Sequence, residues 1–432
     1  MQSTLKSPRL RRILVAYTAN RLGTWVGYVA LSLAVFDHTH SALAVAALLL
    51  AGQALPAFVV PAVVARVESS RRGSELSGLC LFEAVATAVM AILLLSAFWL
   101  PAILLLAALD GTAALAASAL LRAEVARVAR EGVEAPGMAA LPEENRDEVV
   151  NDAERKANAA LNVAFSITFV LGPAFAGVMV AAAGAPAALF IDVGSFLICG
   201  ALLIDLHPHI EEAGDDSVRA RLRAAWRHIN EAPSLRSLLS IEAVALMFAE
   251  SAAPIQVAFA KATLHVGDGG YGLLLSAWGA GALLGSLVFA RSLSRSLGVL
   301  LSAGTFAVGL AYVGFAAAPS LIVACFAALI GGVGNGVELP SLNSLIQQLS
   351  PKHLHGRMMG AVESLTALCV AIGLPLGGAL VAVSSPRIAF LVVGLGAAMA
   401  SAGLLRVSRN GPVLAADDET PVAVTQGDVI AP

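Results

Sequence analysis

The chain has 432 residues, of which 58% are hydrophobic and only 13% are charged, and its mean hydropathy is +0.81. Soluble domains carry roughly 25% charged residues, so this composition excludes an ordinary soluble domain and indicates a membrane protein. The formal net charge of −3 provides no basic surface for nucleic acid, so no nucleic-acid partner is expected.

Twelve apolar stretches divide the chain, each close to the ~20 residues that a helix needs to cross a bilayer. The apolar run that begins at Ile13 is itself long enough to span, so no cleavable signal peptide is predicted. The fold class that we predict is an all-α membrane protein with twelve transmembrane helices in two six-helix bundles. The predicted spans are 13–36, 42–65, 76–98, 102–121, 158–183, 187–205, 237–260, 271–290, 299–317, 321–345, 358–383 and 388–405.

Lysine and arginine residues mark one side of the predicted membrane. The N-terminal segment and the longer connections are basic, whereas the opposite side carries only Lys261 and Arg387. Positive residues stay in the cytoplasm, so both termini and the middle loop are expected to be cytoplasmic. The expected location is the inner membrane of a bacterial cell, with the lipid bilayer as the protein's surroundings.

The two halves of the chain repeat each other weakly and in register. Arg155 and Pro173 are 18 residues apart, and so are Arg357 and Pro375. Two parallel six-helix halves are the architecture of many secondary transporters, whose substrate sites lie near the midplane between the halves. The predicted division is a cytoplasmic N-terminus (1–12), an N-terminal bundle (13–205) with a cytoplasmic insert (122–157), a cytoplasmic linker (206–236), a C-terminal bundle (237–405) and a disordered tail (406–432).

Two cytoplasmic segments have charge patterns of their own. The insert 122–157 mixes acidic and basic residues, which favours a solvated and partly helical segment. The linker has a basic amphipathic pattern that predicts either a helix in the lipid headgroup layer or an ordinary solvated connection. The apolar face of that helix would carry Val218, Leu222, Trp226 and Ile229.

Several segments, taken in their order and spacing, resemble one group of transporters. Over about residues 8–405 the chain resembles major facilitator superfamily exporters, most closely the enterobactin-exporter and macrolide-efflux branch. That resemblance implies a cavity lined by helices 1, 4, 7 and 10. The segments include "NRLGTWVGYVALSLAVFDHTHSALAVAALLLAGQALPAF" in spans 1 and 2, "KANAALNVAFSITFVLGPAFAGVMV" in span 5 and "LSPKHLHGRMMGAVESL" before span 11.

The resemblance also implies a basic gate in the loop after span 2, where the family pattern is Gly-x-x-x-Asp-Arg-x-x-Arg-Arg. Pro61 and Ala65 replace its glycine and aspartate, so the acidic partner of the gate is missing at that position, and Glu68 is the alternative partner. The gating residues carried over from the family are Arg66, Arg71 and Arg72.

A second implied gating motif lies in span 5, where Gly172, Pro173 and Gly177 match the family's Gly-Pro-x-x-x-Gly form. The motif is associated with antiporters and therefore favours export over import. Close helix packing is the alternative function of these small residues. In the second half, Arg357 and Pro375 occupy the corresponding repeat positions.

Ionisable residues inside predicted spans are costly in lipid and usually functional. Arg21 lies in span 1, Asp110 in span 4 and Glu250 in span 7. The two carboxyls lie at a similar depth, roughly 18–20 Å from the inner surface at ~1.5 Å per residue. Such groups form a plausible substrate and proton site, with a structural ion pair as the alternative. Glu338, near the inner end of span 10, is a further candidate for the same site.

Three further acids inside predicted spans are candidates for a structural or gating role. Asp192 in span 6 is expected to form a structural hydrogen bond, while Glu83 and Glu363 are expected to pair with loop arginines or to act in a gate. Three His-x-His pairs lie in loops, but no carboxylate or cysteine completes a metal-ligand set with them; the pairs are His38/His40, His207/His209 and His353/His355. An HExxH motif, a G-x-S-x-G motif and a Walker motif are absent from the sequence. We therefore predict no metal site, no enzyme activity and no cofactor other than a proton gradient.

The predicted function is secondary active transport, namely proton-coupled efflux of a small amphipathic molecule such as a drug, a macrolide or a siderophore, by alternating access. The alternative is a non-transporting membrane sensor or assembly factor that binds a partner through 122–157. Substrate identity, coupling ion and oligomeric state stay open, and the sequence is compatible with a monomer.

Overall fold

In a computed structural model of the protein, the structure describes residues 8–57, 59–60, 75–131, 143–204, 218–292, 295–351 and 354–410. All regular elements within these ranges are helices. The predicted gate residues Arg66, Arg71 and Arg72 lie outside the described residues, as does 411–432 of the predicted tail.

The first half of the chain forms helices that cross the membrane six times. Helix α2 continues through a π-helical turn, Leu50–Ala54, to residue 57. Helix α5 contains a break at Gly184, whose φ of 82° is a conformation that favours glycine. The break separates two crossings, which we call α5a (143–183) and α5b (185–203). The helices are α1 (Pro8–Thr39), α2 (Ala42–Leu49), α3 (Glu75–Ser96), α4 (Leu100–Glu131) and α5 (Glu143–Leu203).

The second half begins with a linker helix and then crosses the membrane six more times. Helix α7 ends in a second π-helical turn, Phe259–Thr263. The helices are α6 (Val218–Glu231, the linker helix), α7 (Pro233–Ala258), α8 (Asp268–Arg291), α9 (Leu297–Ala317), α10 (Leu321–Gln348), α11 (His355–Val383) and α12 (Pro386–Asn410).

Length and hydropathy identify most of these helices as membrane spans. Within the described residues, nine helical stretches are long and apolar enough to cross a membrane, and one of them, Asp152–Leu203, holds both α5a and α5b. Helices α1 and α2 supply the remaining crossings. Large apolar side chains point outward along the spans, for example Phe326 at 64% and Met399 at 70% exposure, as expected for a surface that faces lipid. The predicted all-α membrane fold is confirmed.

Helix packing follows the predicted repeat. Helices α1 and α3 pack on α5 in the first half, and their counterparts α7 and α9 pack on α12 in the second. The two bundles meet mainly where α5 crosses α8 and where α2 crosses α11.

Three apolar cores distinguish the two ends of the molecule. The core at the end remote from the termini contains residues of both bundles, including Phe36 of α1 and Phe259 beside α7. At the other end, Ile13 belongs to a core of the N-terminal bundle alone, and Met358 belongs to a core of the C-terminal bundle alone. The bundles are therefore joined on the predicted extracytoplasmic side and separate on the predicted cytoplasmic side, which is an inward-open arrangement.

The predicted insert 122–157 is packed at both of its ends. Helix α4 continues to Glu131, and α5 already begins at Glu143. Val125 and Val128 are buried with Ala153 of α5 in the core of the N-terminal bundle. These apolar residues recur at helical spacing among the charges, and this recurrence explains why the segment is not simply solvated. Residues 132–142 of the insert lie outside the described residues.

The linker forms the predicted amphipathic helix, α6. Ala225 and Ile229 are buried in the core of the C-terminal bundle. Trp226 is 48% exposed, and the neighbouring Arg223 and Arg227 are exposed as well. This combination of one packed face with an exposed tryptophan and arginines suits a helix at the lipid headgroup layer.

Candidate transport cavity

A cavity of about 580 Å³ lies between the two bundles. Its walls come from α1, α2, α3, α4, α5b, α7 and α11. The family resemblance implied helices 1, 4, 7 and 10, and α10 is not among the walls. Glycines explain the difference, because Gly281 and Gly285 of α8 bring that helix against the backbone of α10 and hold α10 in the bundle core.

Three of the four predicted site residues line this cavity, namely Arg21, Asp110 and Glu250. The guanidinium carbon of Arg21 lies 5.0 Å from the ring centroid of Phe165, a cation–π contact. Asp110 accepts a long hydrogen bond of 3.4 Å from the hydroxyl of Thr87. Among the residues that the structure describes, neither carboxyl forms an ion pair, and Arg21 Nε lacks a hydrogen-bond partner. The structural ion pair considered from the sequence is therefore not seen.

Asp192 also lines the cavity, from α5b. Its Oδ1 accepts a hydrogen bond of 3.2 Å from the hydroxyl of Ser195, which is a structural bond of the predicted kind. The carboxyl lies against the backbone of α1 at Gly23 and Gly27. A Cβ atom on Gly23 would collide with Oδ1 of Asp192, so this close approach depends on glycine.

Glu363 lies in the cavity wall, whereas the sequence predicted for it an arginine partner or a role in a gate. It lines the cavity from α11 together with Ala367, Val370 and Leu374, a spacing that places all four on one face of the helix. Its side chain is exposed and forms no ion pair with a described residue. The recurrence of small and apolar residues four, seven and eleven positions after Glu363 is the sequence signal that could have identified this wall.

Glu338 lies apart from the cavity. It is only 4% exposed, between α9 and α10, and its Oε1 accepts a hydrogen bond of 2.9 Å from the hydroxyl of Thr305. This contact repeats the one between Thr87 and Asp110, since in each half a threonine of the third helix binds an acid of the fourth. Glu83 is likewise fully buried, within the N-terminal bundle.

The glycine–proline motif of α5a forms two close contacts. A Cβ atom on Gly172 would lie 2.5 Å from Cδ1 of Trp25 in α1, so Gly172 provides space for that indole. A Cβ atom on Gly177 would lie 2.8 Å from Cα of Gly272 in α8. The second contact joins the two bundles, and Pro173 lies inside the helix between the two glycines.

The repeat places a similar crossing in the second half. Pro375 lies inside α11, and a Cβ atom on the nearby Gly378 would lie 2.9 Å from Cα of Leu43 in α2. Arg357 lies in the first turn of α11, at the predicted cytoplasmic end, and is half-buried.

On the predicted extracytoplasmic side, one lysine bridges the bundles. Lys261 Nζ lies 2.9 Å from Oδ2 of Asp37, at the end of α1, and 2.5 Å from Oδ1 of Asp268, at the start of α8. Arg387, the other basic residue of that side, donates to the carbonyls of Ala316 and Ala318, both at 2.8 Å. Lys261 thus joins the two halves, whereas Arg387 acts within the C-terminal bundle.

Comparison with solved structures supports the fold. The nucleoside transporter NupG has a TM-score of 0.70 at 13% identity, over 95% of this chain and 100% of that one. A bacterial homolog of the human lysosomal transporter Spinster, in an inward-facing and unoccupied conformation, has a TM-score of 0.69 at 11% identity, over 94% of this chain and 98% of that one. At these identities the likeness concerns the fold alone.

Sequence relatives are named as efflux pumps. The multidrug efflux pump Tap of Mycolicibacterium fortuitum is 29% identical over 254 residues, 55% of this chain and 60% of that protein. The pump of the same name in Mycobacterium tuberculosis strain H37Rv is 27% identical over 264 residues, 58% of this chain and 62% of that protein. The chain thus spans about three fifths of the length of the curated relatives that it matches.

A family model described as "Transmembrane secretion effector" matches residues 2–431, nearly the whole chain. This match confirms the predicted superfamily. The chain belongs to the transmembrane secretion effector family of the major facilitator superfamily.

Proposed function

We propose that this protein exports small amphipathic molecules by proton-coupled alternating access. One observation carries the proposal. The cavity between the bundles holds a carboxyl from each bundle, Asp110 and Glu250, and neither forms an ion pair with a described residue. Relatives named as multidrug efflux pumps support export as the direction of transport.

The lining of the cavity suits an amphipathic cargo. Aromatic and aliphatic residues make up more than half of the lining, and polar and charged groups converge among them. Small-molecule sites with such a mixed lining usually have volumes of about 300–1,000 Å³. The cavity volume of about 580 Å³ falls within that range. The apolar part of the wall includes Trp25, Tyr28, Leu31, Met90, Phe196 and Leu374.

Coupling to protons follows from alternating exposure of the same carboxyls. In the inward-open state, Asp110 and Glu250 face a cavity that communicates with the predicted cytoplasmic side, where a bound proton is released and cargo enters. Rocking of the bundles then opens the cavity to the other side, where protonation of the carboxyls accompanies release of the cargo. Both termini are cytoplasmic in this proposal, and the membrane is the bacterial inner membrane.

The experiment uses purified protein in proteoliposomes, with a compound that a susceptibility screen of drugs, macrolides and siderophores identifies as exported. We expect Asp110→Asn and Glu250→Gln to abolish uphill transport driven by a pH gradient while sparing downhill exchange, because amide side chains cannot titrate. Glu231→Gln, on the exposed linker helix, is the matched control and should transport normally. If the single variants and the double variant all still concentrate the compound, the proton site lies elsewhere, and Glu338 is the next candidate.

A further inference from the structure

The charged groups that face the cavity are strongly unbalanced in sign. Four carboxyls and one guanidinium line it, and the only other titratable side chain among the lining residues that the structure describes is a phenol. The excess of acids over bases is therefore three when all the carboxyls are ionised. These groups are Asp110, Asp192, Glu250 and Glu363 as acids, Arg21 as the base and Tyr28 as the phenol.

Not all of these groups are available to a ligand. Asp192 is 3% exposed and is held by Ser195 against the backbone of α1. Arg21 stacks on Phe165 and forms no ion pair with any of the four acids. Three carboxyls remain without a cationic partner in the cavity wall, and Glu363 is the most exposed of them.

Apolar and aromatic surface lies in the same cavity as these acids. Trp25 and Tyr28 of α1 and Phe196 of α5b line the wall of the N-terminal bundle, while Glu250 and Glu363 lie on helices of the C-terminal bundle. A ligand that spans the cavity can therefore place a positive group at Glu250 and Glu363 and an apolar body on the aromatic rings of the opposite wall. Aromatic rings also attract cations directly, through their negative faces.

We propose that the cargo of this cavity is an organic cation with an apolar body, and that Glu363 is a specificity-determining residue that binds its positive charge. This inference rests on the proposed function and narrows it, because an anionic siderophore would meet the same acids and be repelled. A cationic cargo also explains how export can be coupled to proton uptake, because the cation and the proton compete for the same carboxylates. A carboxyl that loses its proton to the cytoplasm becomes able to pair with the cargo, and reprotonation on the other side releases the cargo.

The test compares two probes of nearly the same size and shape but opposite charge, tetraphenylphosphonium and tetraphenylborate. Equilibrium binding to the purified full-length protein in detergent is measured by titration calorimetry, without any gradient. We expect saturable binding of the cation only, and weaker binding as the pH falls, because protonation removes the negative charge of the wall. Equal binding of the borate, or cation binding that strengthens at low pH, would overturn the proposal.

Variants of Glu363 test whether this residue determines the preference for the cation over the anion. Glu363→Gln should weaken phosphonium binding roughly three- to five-fold, the size expected for one solvent-accessible charge pair. Glu363→Asp, which keeps the charge, should bind nearly as the natural protein does, and so should Glu231→Gln. An unchanged affinity in a folded Glu363→Gln protein would remove Glu363 from the proposal. If the Glu363→Gln protein does not fold, equal binding of the phosphonium and the borate by the Glu363→Asp protein would contradict the proposal.

The binding assay separates this inference from the proposed function. Charge-selective binding without gradient-driven transport in proteoliposomes would retain the cation site and refute proton-coupled export. Proton-driven transport of an uncharged compound by a protein that binds no phosphonium would retain the export function and refute the cation site.

Discussion

Gly23 illustrates how a single residue shapes the cavity wall, because the carboxyl of Asp192 occupies the space that a side chain would need. We expect Gly23→Ala to displace the buried Asp192 carboxyl and the half-buried Ser195 hydroxyl beside it. Overpacking of this kind typically costs about 1–3 kcal/mol. The measurement is the thermal unfolding midpoint of the purified protein in detergent, which should fall by several degrees.

A matched helical glycine provides the control. Gly78 of α3 has no neighbouring atom within 4 Å of the position where a Cβ would lie. Gly78→Ala should leave the midpoint unchanged or raise it, since alanine replaces the more flexible glycine in a helix. Equal loss of stability in both variants would show that Gly23 is not specially constrained by Asp192.

Among single residues, only some of the charged groups of the cavity could be predicted from the sequence. Arg21, Asp110 and Glu250 could be found because each is a charge inside an apolar stretch, and lipid tolerates such residues only where they face a cavity or a partner. Glu338 satisfies the same criterion, yet Thr305 binds it inside a bundle. The charge of a residue and its depth in the membrane do not determine which way its side chain faces. That direction places Glu363 in the cavity wall and Glu338 inside the C-terminal bundle.

At the scale of helices, the crossing of α5a and α8 is the contact most sensitive to substitution. The backbones approach at Gly177 and Gly272, and an added side chain has no space without separating the two bundles. We expect Gly177→Leu to insert in the membrane but to lose most transport in proteoliposomes, because rocking of one bundle against the other needs this close contact. Val178→Leu is the control one residue along, where the side chain is 57% exposed to lipid, and it should transport normally. Normal flux in Gly177→Leu would leave the motif without a role in transport.

The helices themselves were largely predictable, and the exceptions share one cause. Hydropathy finds the part of a helix that lies in lipid, so all twelve spans could be identified from runs of about 20 apolar residues. It does not indicate where a helix continues into water, so it missed the extension of α4 to Glu131 and the start of α5 at Glu143. The π-helical turns Leu50–Ala54 and Phe259–Thr263 depend on how neighbouring helices pack and have no signal in composition.

For the whole molecule, the separation of the cores matches the inward-open state of the proposed alternating-access cycle. The joined end is held by a shared apolar core and by Lys261, which pairs with Asp37 of the other half. Opening to the outside must break this ion pair, whereas the hydrogen bonds of Arg387 lie within one bundle and can persist. We therefore expect Lys261 to stabilise the inward-open state specifically.

We predict that Lys261→Gln shifts the population towards the outward-open state. Partly exposed ion pairs contribute about 0.2–1 kcal/mol, so the shift should be up to roughly five-fold. The readout is the alkylation rate of Ser118→Cys, in the cavity wall on α4, in a background without the four native cysteines. A membrane-impermeant reagent on the predicted cytoplasmic side should react more slowly in the Lys261→Gln protein. Faster labelling from that side than from the other would also support the predicted orientation.

Four comparisons decide whether the ion pair of Lys261 and Asp37 holds the two bundles together on this side. Asp37→Asn should slow alkylation as Lys261→Gln does, and the double variant should show less than the sum of the two effects, because both substitutions remove the same pair. High salt should reproduce part of the effect in the natural protein by screening these partly exposed charges. Arg387→Gln removes a cation from the same side without touching the other bundle, so it should lower thermal stability and leave the alkylation rate unchanged. If Arg387→Gln slows alkylation equally, the alkylation rate follows the stability or the total charge of that side. The ion pair between the bundles would then have no special part in the conformational equilibrium.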